Sequence, residues 1–135
     1  WGESPLQCKD LLAQFGGRMR AVFDMGNFVL GGYRPYPEAY ELLKPYISYF
    51  HIKDALARGA IVPAGLGEAQ IGEILADFSR SAEKDFFITL EPHLETFAGL
   101  NALTDVTFEN PYKYADRKTA FTDAVAKINQ VLKEI

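Results

Sequence analysis

Cysteine is almost missing from the chain: Cys8 is the only one, so no intrachain disulfide can form. Cys8 falls inside a helical pattern and reads as a small buried apolar residue rather than a reactive thiol. Basic clusters are missing too. The formal net charge is −4, which argues against nucleic acid or an anionic membrane as the main partner. No apolar run approaches the ~18 residues that a membrane span needs. No charged stretch followed by an apolar one opens the chain, so no export signal is visible, and the cytoplasm is the expected compartment. Histidine is scarce, with only His51 and His93. Repeats, low-complexity segments and linkers are absent, so residues 1–135 read as one unit.

What is present is the composition of a folded protein, 48% hydrophobic and 24% charged. Ser4-Pro5 predicts a helix start, with Ser as N-cap and Pro at the first helical position. Leu6, Leu11, Leu12 and Phe15 give that helix a stripe, and Gly16-Gly17 stops it. A strand follows over 19–24. Residues 25–32 read as a glycine-rich loop that lets backbone approach a ligand. A helix is predicted over 35–46, ended by Pro45. The central strand covers 47–54, then a loop runs over 57–70, where Gly65 and Gly67 shape a turn. An amphipathic helix over 71–82, a strand over 85–90 and a long irregular connection over 92–114 come next. The connection carries possible helical turns around 97–103; a loop that long in a compact domain is usually functional. Residues 115–135 hold the clearest helical spacing, from Ala120 to Ile135. The tyrosines 33, 36, 40, 46 and 49 read as packing.

The order α-β-α-β-α-β-α predicts an α/β fold with about three parallel strands and crossover helices. Each apolar run stops on a polar residue. Arg20-Ala-Val-Phe-Asp24 ends in a carboxylate, Tyr49-Phe-His51 in an imidazole, and Ile88-Thr-Leu-Glu91 in a second carboxylate. Parallel strands place their C-terminal ends on one edge, so Asp24, His51 and Glu91 are expected to converge. The strands read as apolar on both faces, which suits a closed barrel better than an open sheet.

Phe23-Asp-Met-Gly-Asn-Phe28, Phe50-His-Ile-Lys-Asp54, Pro63-Ala-Gly-Leu-Gly-Glu68 and Thr89-Leu-Glu-Pro-His93 occur in one order and spacing. In this the chain resembles the sugar phosphate isomerase/epimerase family of xylose-isomerase-like TIM barrels. Tyr114 to Phe121 resembles the start of that family's last helix. The resemblance implies the C-terminal half of a (β/α)8 barrel, roughly strands six to eight, as a single partial domain. It implies a divalent metal, Mn, Mg, Co or Zn, held by Asp24, His51 and Glu91. A further Glu upstream of Trp1 would complete the family's set. Either a missing N-terminal half or self-association is then expected to close the sheet.

The implied reaction is isomerisation or epimerisation of a sugar or sugar phosphate by proton transfer through an enediolate. Glu91 would be the catalytic acid/base as well as a ligand. Asn27, Lys53 and His93 would contact the substrate. Asn27 stands where many relatives carry a His, which leaves the substrate open. The chain alone is expected to show little or no turnover. Each residue also has a plainer role: Asp24 as a cap, His51 as a satisfied buried His, and Lys53–Asp54 as a local ion pair. Two rival functions remain, a non-catalytic polyol-binding barrel and an apurinic-endonuclease-like zinc hydrolase. Scarce histidine and the acidic balance weigh against the second.

Overall fold

The computed structural model describes residues 4–81, 85–94 and 111–135. The first helix, α1 (Pro5–Gln14), starts as its sequence predicts: Ser4 Oγ accepts the Gln7 amide at 3.2 Å. It stops where Gly16 and Gly17 take positive φ, 54° and 84°. Leu12 is buried and Leu11 and Phe15 are half-buried, but Leu6 faces solvent. Strand β1 (Ala21–Asp24) follows.

The predicted loop over 25–32 is instead largely helical: α2 covers Met25–Leu30. Asp24 explains the difference. Its Oδ1 accepts the Asn27 amide at 2.9 Å, so the residue that ends the strand also caps a helix. The predicted helix over 35–46 is broken. Pro35–Ala39 forms a π-type turn in which Tyr36 is extended, φ −122° and ψ 136°. Tyr36 precedes Pro37, and the proline ring disfavours the helical region for the residue before it. Helix α3 (Tyr40–Leu43) and a 3-10 turn at Lys44–Tyr46 complete the stretch.

The central strand β2 (Ile47–Ile52) ends earlier than predicted. Asp54 belongs to a hairpin, β3 (Asp54–Leu56) and β4 (Ala60–Val62), where a loop was expected from Ala57. Helix α4 (Ile71–Ser81), strand β5 (Ile88–Leu90) and helix α5 (Arg117–Leu132) follow. The helical turns expected at 97–103 lie outside the described residues. No helix among the described residues is long and apolar enough to cross a membrane.

The fold is mixed α/β. Its main sheet is three-stranded and parallel, in the order β1-β2-β5. One face of the sheet is buried along β1 and β2 and partly buried along β5. Phe23 and Phe50, partners in register, pack edge-on to each other at 6.1 Å between centroids. Tyr40 and Phe78 close over them, at 6.1 Å from Phe23 and 4.9 Å from Phe50. Tyr40 is anchored by its hydroxyl, which donates to Asp77 of α4 at 2.8 Å; Lys44 pairs with the same carboxylate. The other face is barely covered among the described residues. Val22 is 42% exposed and Phe87 58%, and Phe87 stacks on Tyr49 at 4.5 Å. The last helix buries a narrower stripe than predicted, Ala120, Ala124 and Ile128, and leaves Phe121 and Val125 exposed.

One buried side chain ties the hairpin to the loop that follows it. The buried Asp54 carboxylate accepts the amides of Ala55, Gly65, Gly67 and Ala69 at 2.8–3.0 Å. A Cβ at Gly67 would collide with that carboxylate, and Gly65 sits at φ 83°. The two glycines therefore shape a turn, as the sequence predicts, around an acid that needs them. Asp54→Ala is expected to cost about 3–5 kcal/mol, because several buried amides lose their acceptor. Asp54→Asn, which keeps one acceptor oxygen, is expected to cost roughly half as much. Urea midpoints of the two variants check this; a midpoint unchanged in Asp54→Ala would remove the carboxylate from the hairpin's support.

Candidate metal centre

Strand register brings the polar strand ends together. Across β1–β2, Asp24 is the direct partner of His51. Across β2–β5, His51 is the partner of Thr89. Glu91 lies two residues past Thr89, so alternation returns it to the same face. Its amide donates to the Ile52 carbonyl at 3.0 Å, which extends the pairing beyond β5. One ligand-type atom from each of Asp24, His51 and Glu91 lies within 4.8 Å of the others. That spread suits donors each about 2.0–2.5 Å from one ion. Two carboxylates and an imidazole form a hard, mixed O/N set of the kind that Mn, Mg, Co and Zn accept.

Burial divides the three. Asp24 is 7% exposed, whereas the side chains of His51 and Glu91 are 33% and 42% exposed. Glu91 is also clamped at both oxygens. His93 Nε2 lies 2.8 Å from Oε1, and His51 Nδ1 lies 3.2 Å from Oε2. His93 makes its contact from a backbone with φ 44°, uncommon for a residue other than glycine.

Lys53 joins the same cluster because it lies two residues past His51. Its ammonium is 3.2 Å from Asp24 Oδ2 and 3.4 Å from Glu91 Oε2, and it donates to Asn27 Oδ1 at 3.1 Å. It is only 8% exposed, and a buried ammonium is tolerated only with such partners. The alternative of a local Lys53–Asp54 ion pair is thereby corrected. Asp54 turns to the hairpin amides and Lys53 to the strand-end carboxylates, because adjacent residues in extended chain point to opposite faces. The predicted substrate residues Asn27, Lys53 and His93 are all brought to the cluster. Their contacts within it went unforeseen; the spacing of His51 and Lys53 was the signal available.

Asp24 fills the expected cap role through Oδ1, which accepts the Asn27 amide, while Oδ2 faces Lys53. Behind it, Gly26 packs directly on Lys53. A Cβ there would lie 2.7 Å from the Lys53 carbonyl oxygen and 2.9 Å from its Cγ. Burial pushes the Asp24 carboxyl above its ordinary pKa, against the pull of Lys53 and the Asn27 amide. Burial also raises Glu91, but there the His93 hydrogen bond and the Lys53 charge outweigh it, and the carboxyl lies below its ordinary value.

Comparison of the chain with protein-family models, curated proteins and solved structures finds no match.

The two carboxyls have opposite linkage. Asp24, raised, contributes stability at low pH that is lost as pH rises through its folded pKa. Glu91, lowered, contributes stability that is present above its ordinary 4.5 and lost as pH falls through the lowered value. Glu91→Gln is therefore expected to flatten the fall in stability below about pH 4.5. Denaturation midpoints from about pH 3 to 6 test it; an acid limb as steep as in the parent chain would show that Glu91 is not held low.

Proposed function

We propose that this chain is the C-terminal half of a (β/α)8 barrel that isomerises or epimerises a sugar or sugar phosphate with a divalent metal. The observation that carries the reading is the convergence of Asp24, His51 and Glu91 at the C-terminal edge of a parallel sheet. The four motifs shared with the sugar phosphate isomerase/epimerase family supply the reaction class. A half-barrel also accounts for the sheet face that carries Val22, Tyr49 and Phe87, and for Phe121 and Val125 on α5. These apolar residues would meet the N-terminal half or another copy of the chain.

The divalent ion, when bound, supplies Lewis-acid polarisation of a substrate carbonyl or hydroxyl. The residues divide the remaining work by exposure. Buried Asp24 serves as a ligand alone. Glu91 is open enough to reach substrate, so its carboxylate takes the proton from the carbon beside the carbonyl. The resulting enediolate is protonated at the neighbouring carbon for isomerisation, or on the opposite face of the same carbon for epimerisation. The upstream Glu implied by the resemblance would serve that second face. His93 keeps Glu91 oriented through its Oε1 contact. Lys53, Asn27 and His93 are the groups placed to meet substrate hydroxyls or a phosphate.

Calorimetric titration with Mn²⁺ tests the centre. Saturable binding by the chain and its loss, by about 100-fold or more, in Asp24→Ala are the expected results. Absence of binding in both would remove the metal reading for this chain. Solvent deuterium entering a ketose or ketose phosphate with the full-length protein then tests the chemistry. Metal binding without any such exchange would favour the polyol-binding alternative.

A further inference from the structure

The Lys53 ammonium stands against two of the carboxylates that the candidate centre offers to an ion. It lies 3.2 Å from Asp24 Oδ2 and 3.4 Å from Glu91 Oε2, and those carboxylates come from different strands. The contact thus spans the cluster rather than decorating its rim. A divalent ion seated on these oxygens would face a unit positive charge within a few ångströms, in a largely buried setting where water screens poorly. Lysine has two properties that permit relief. Its charge rides on a flexible four-carbon stem, and a neutral acceptor is already in reach, Asn27 Oδ1 at 3.1 Å.

We infer that Lys53 is a built-in competitor of the divalent ion: loading the centre moves its ammonium off Asp24 and Glu91 and leaves it held by Asn27, which it already contacts. This rests on the metal reading above and adds to it a residue that sets the affinity. Lys53 neutralises the carboxylate pair until a divalent ion replaces it. A monovalent ion offers no gain over the ammonium, so the exchange favours divalent ions. Asn27 is then the receiving group of the exchange. It is held in place because its own amide caps onto Asp24.

The inference makes opposite predictions for two neighbouring residues, which a purely structural role would not. Lys53→Met keeps the length of the stem and removes the competitor. Mn²⁺ is expected to bind it about 10- to 100-fold more tightly than the parent chain, a gain of ~1.4–2.8 kcal/mol. Asn27→Ala removes the receiving group, and Mn²⁺ is expected to bind it about tenfold more weakly. Calorimetric titrations with Mn²⁺ read both changes. Thermal melts give a second readout. Lys53→Met is expected to melt below the parent chain without Mn²⁺ and to recover more than the parent does when it is added.

Equal or weaker Mn²⁺ binding by folded Lys53→Met overturns the inference and leaves the metal centre standing. Lack of Mn²⁺ binding in the parent chain and in both variants overturns the metal reading together with the inference. Binding by Lys53→Met alone supports both. Should Lys53→Met fail to fold, Lys53→Gln and Asn27→Ala carry the same comparison.

Discussion

Parallel pairing of β1 with β2 is the constraint on which the rest depends. It sets Asp24 beside His51, residue against residue. Each further feature of the cluster follows from that register. Alternation along β2 returns Lys53 to the face of His51, and β5 pairs so that Glu91 arrives one step beyond the last strand residue. A slip of one residue would send His51 to the aromatic core and Phe50 to the strand-end cluster. The interlocked Phe23, Phe50, Tyr40 and Phe78 rings oppose that slip, so the hydrophobic core fixes the geometry of the cluster.

Much of this was legible in the chain. Apolar runs that stop on Asp24, His51 and Glu91, with helical sequence between them, sufficed for a parallel sheet with those three on one edge. The helix starts at Ser4 and the stops at Gly16 and Pro45 were equally open to reading, because each rests on the local chemistry of one or two residues. Residues 25–30 were not. Glycine at 26 and a short length disguise a helix whose formation depends on the Asp24 cap. The hairpin over 54–62 was hidden for a different reason. Its support is the Asp54 carboxylate, which gathers amides up to Ala69, and no local pattern announces an acceptor shared across such a span. Lys53 and Asp54 look like an ion pair when read as neighbours; extended backbone sends them to opposite sides.

The cluster carries its own counter-charge. Two carboxylates close together at a partly buried edge are unfavourable unless cations answer them. Lys53 does so from within, and His51 and His93 add donors to the more exposed carboxylate. The pair is therefore asymmetric: Asp24 is buried and drawn toward neutrality, while Glu91 is open and held ionised.

Gly26 extends this picture beyond the polar residues. It has no group that can bind an ion or a sugar, yet its missing Cβ is the space in which the Lys53 backbone and stem rest. Any side chain there must push α2 away from β2 or displace the ammonium from between the carboxylates. The position is thus sterically part of the centre though chemically silent. A survey of tolerated substitutions would find a forbidden site that no inspection of functional groups would flag, and the footprint of the cluster on the sequence is wider than its polar residues.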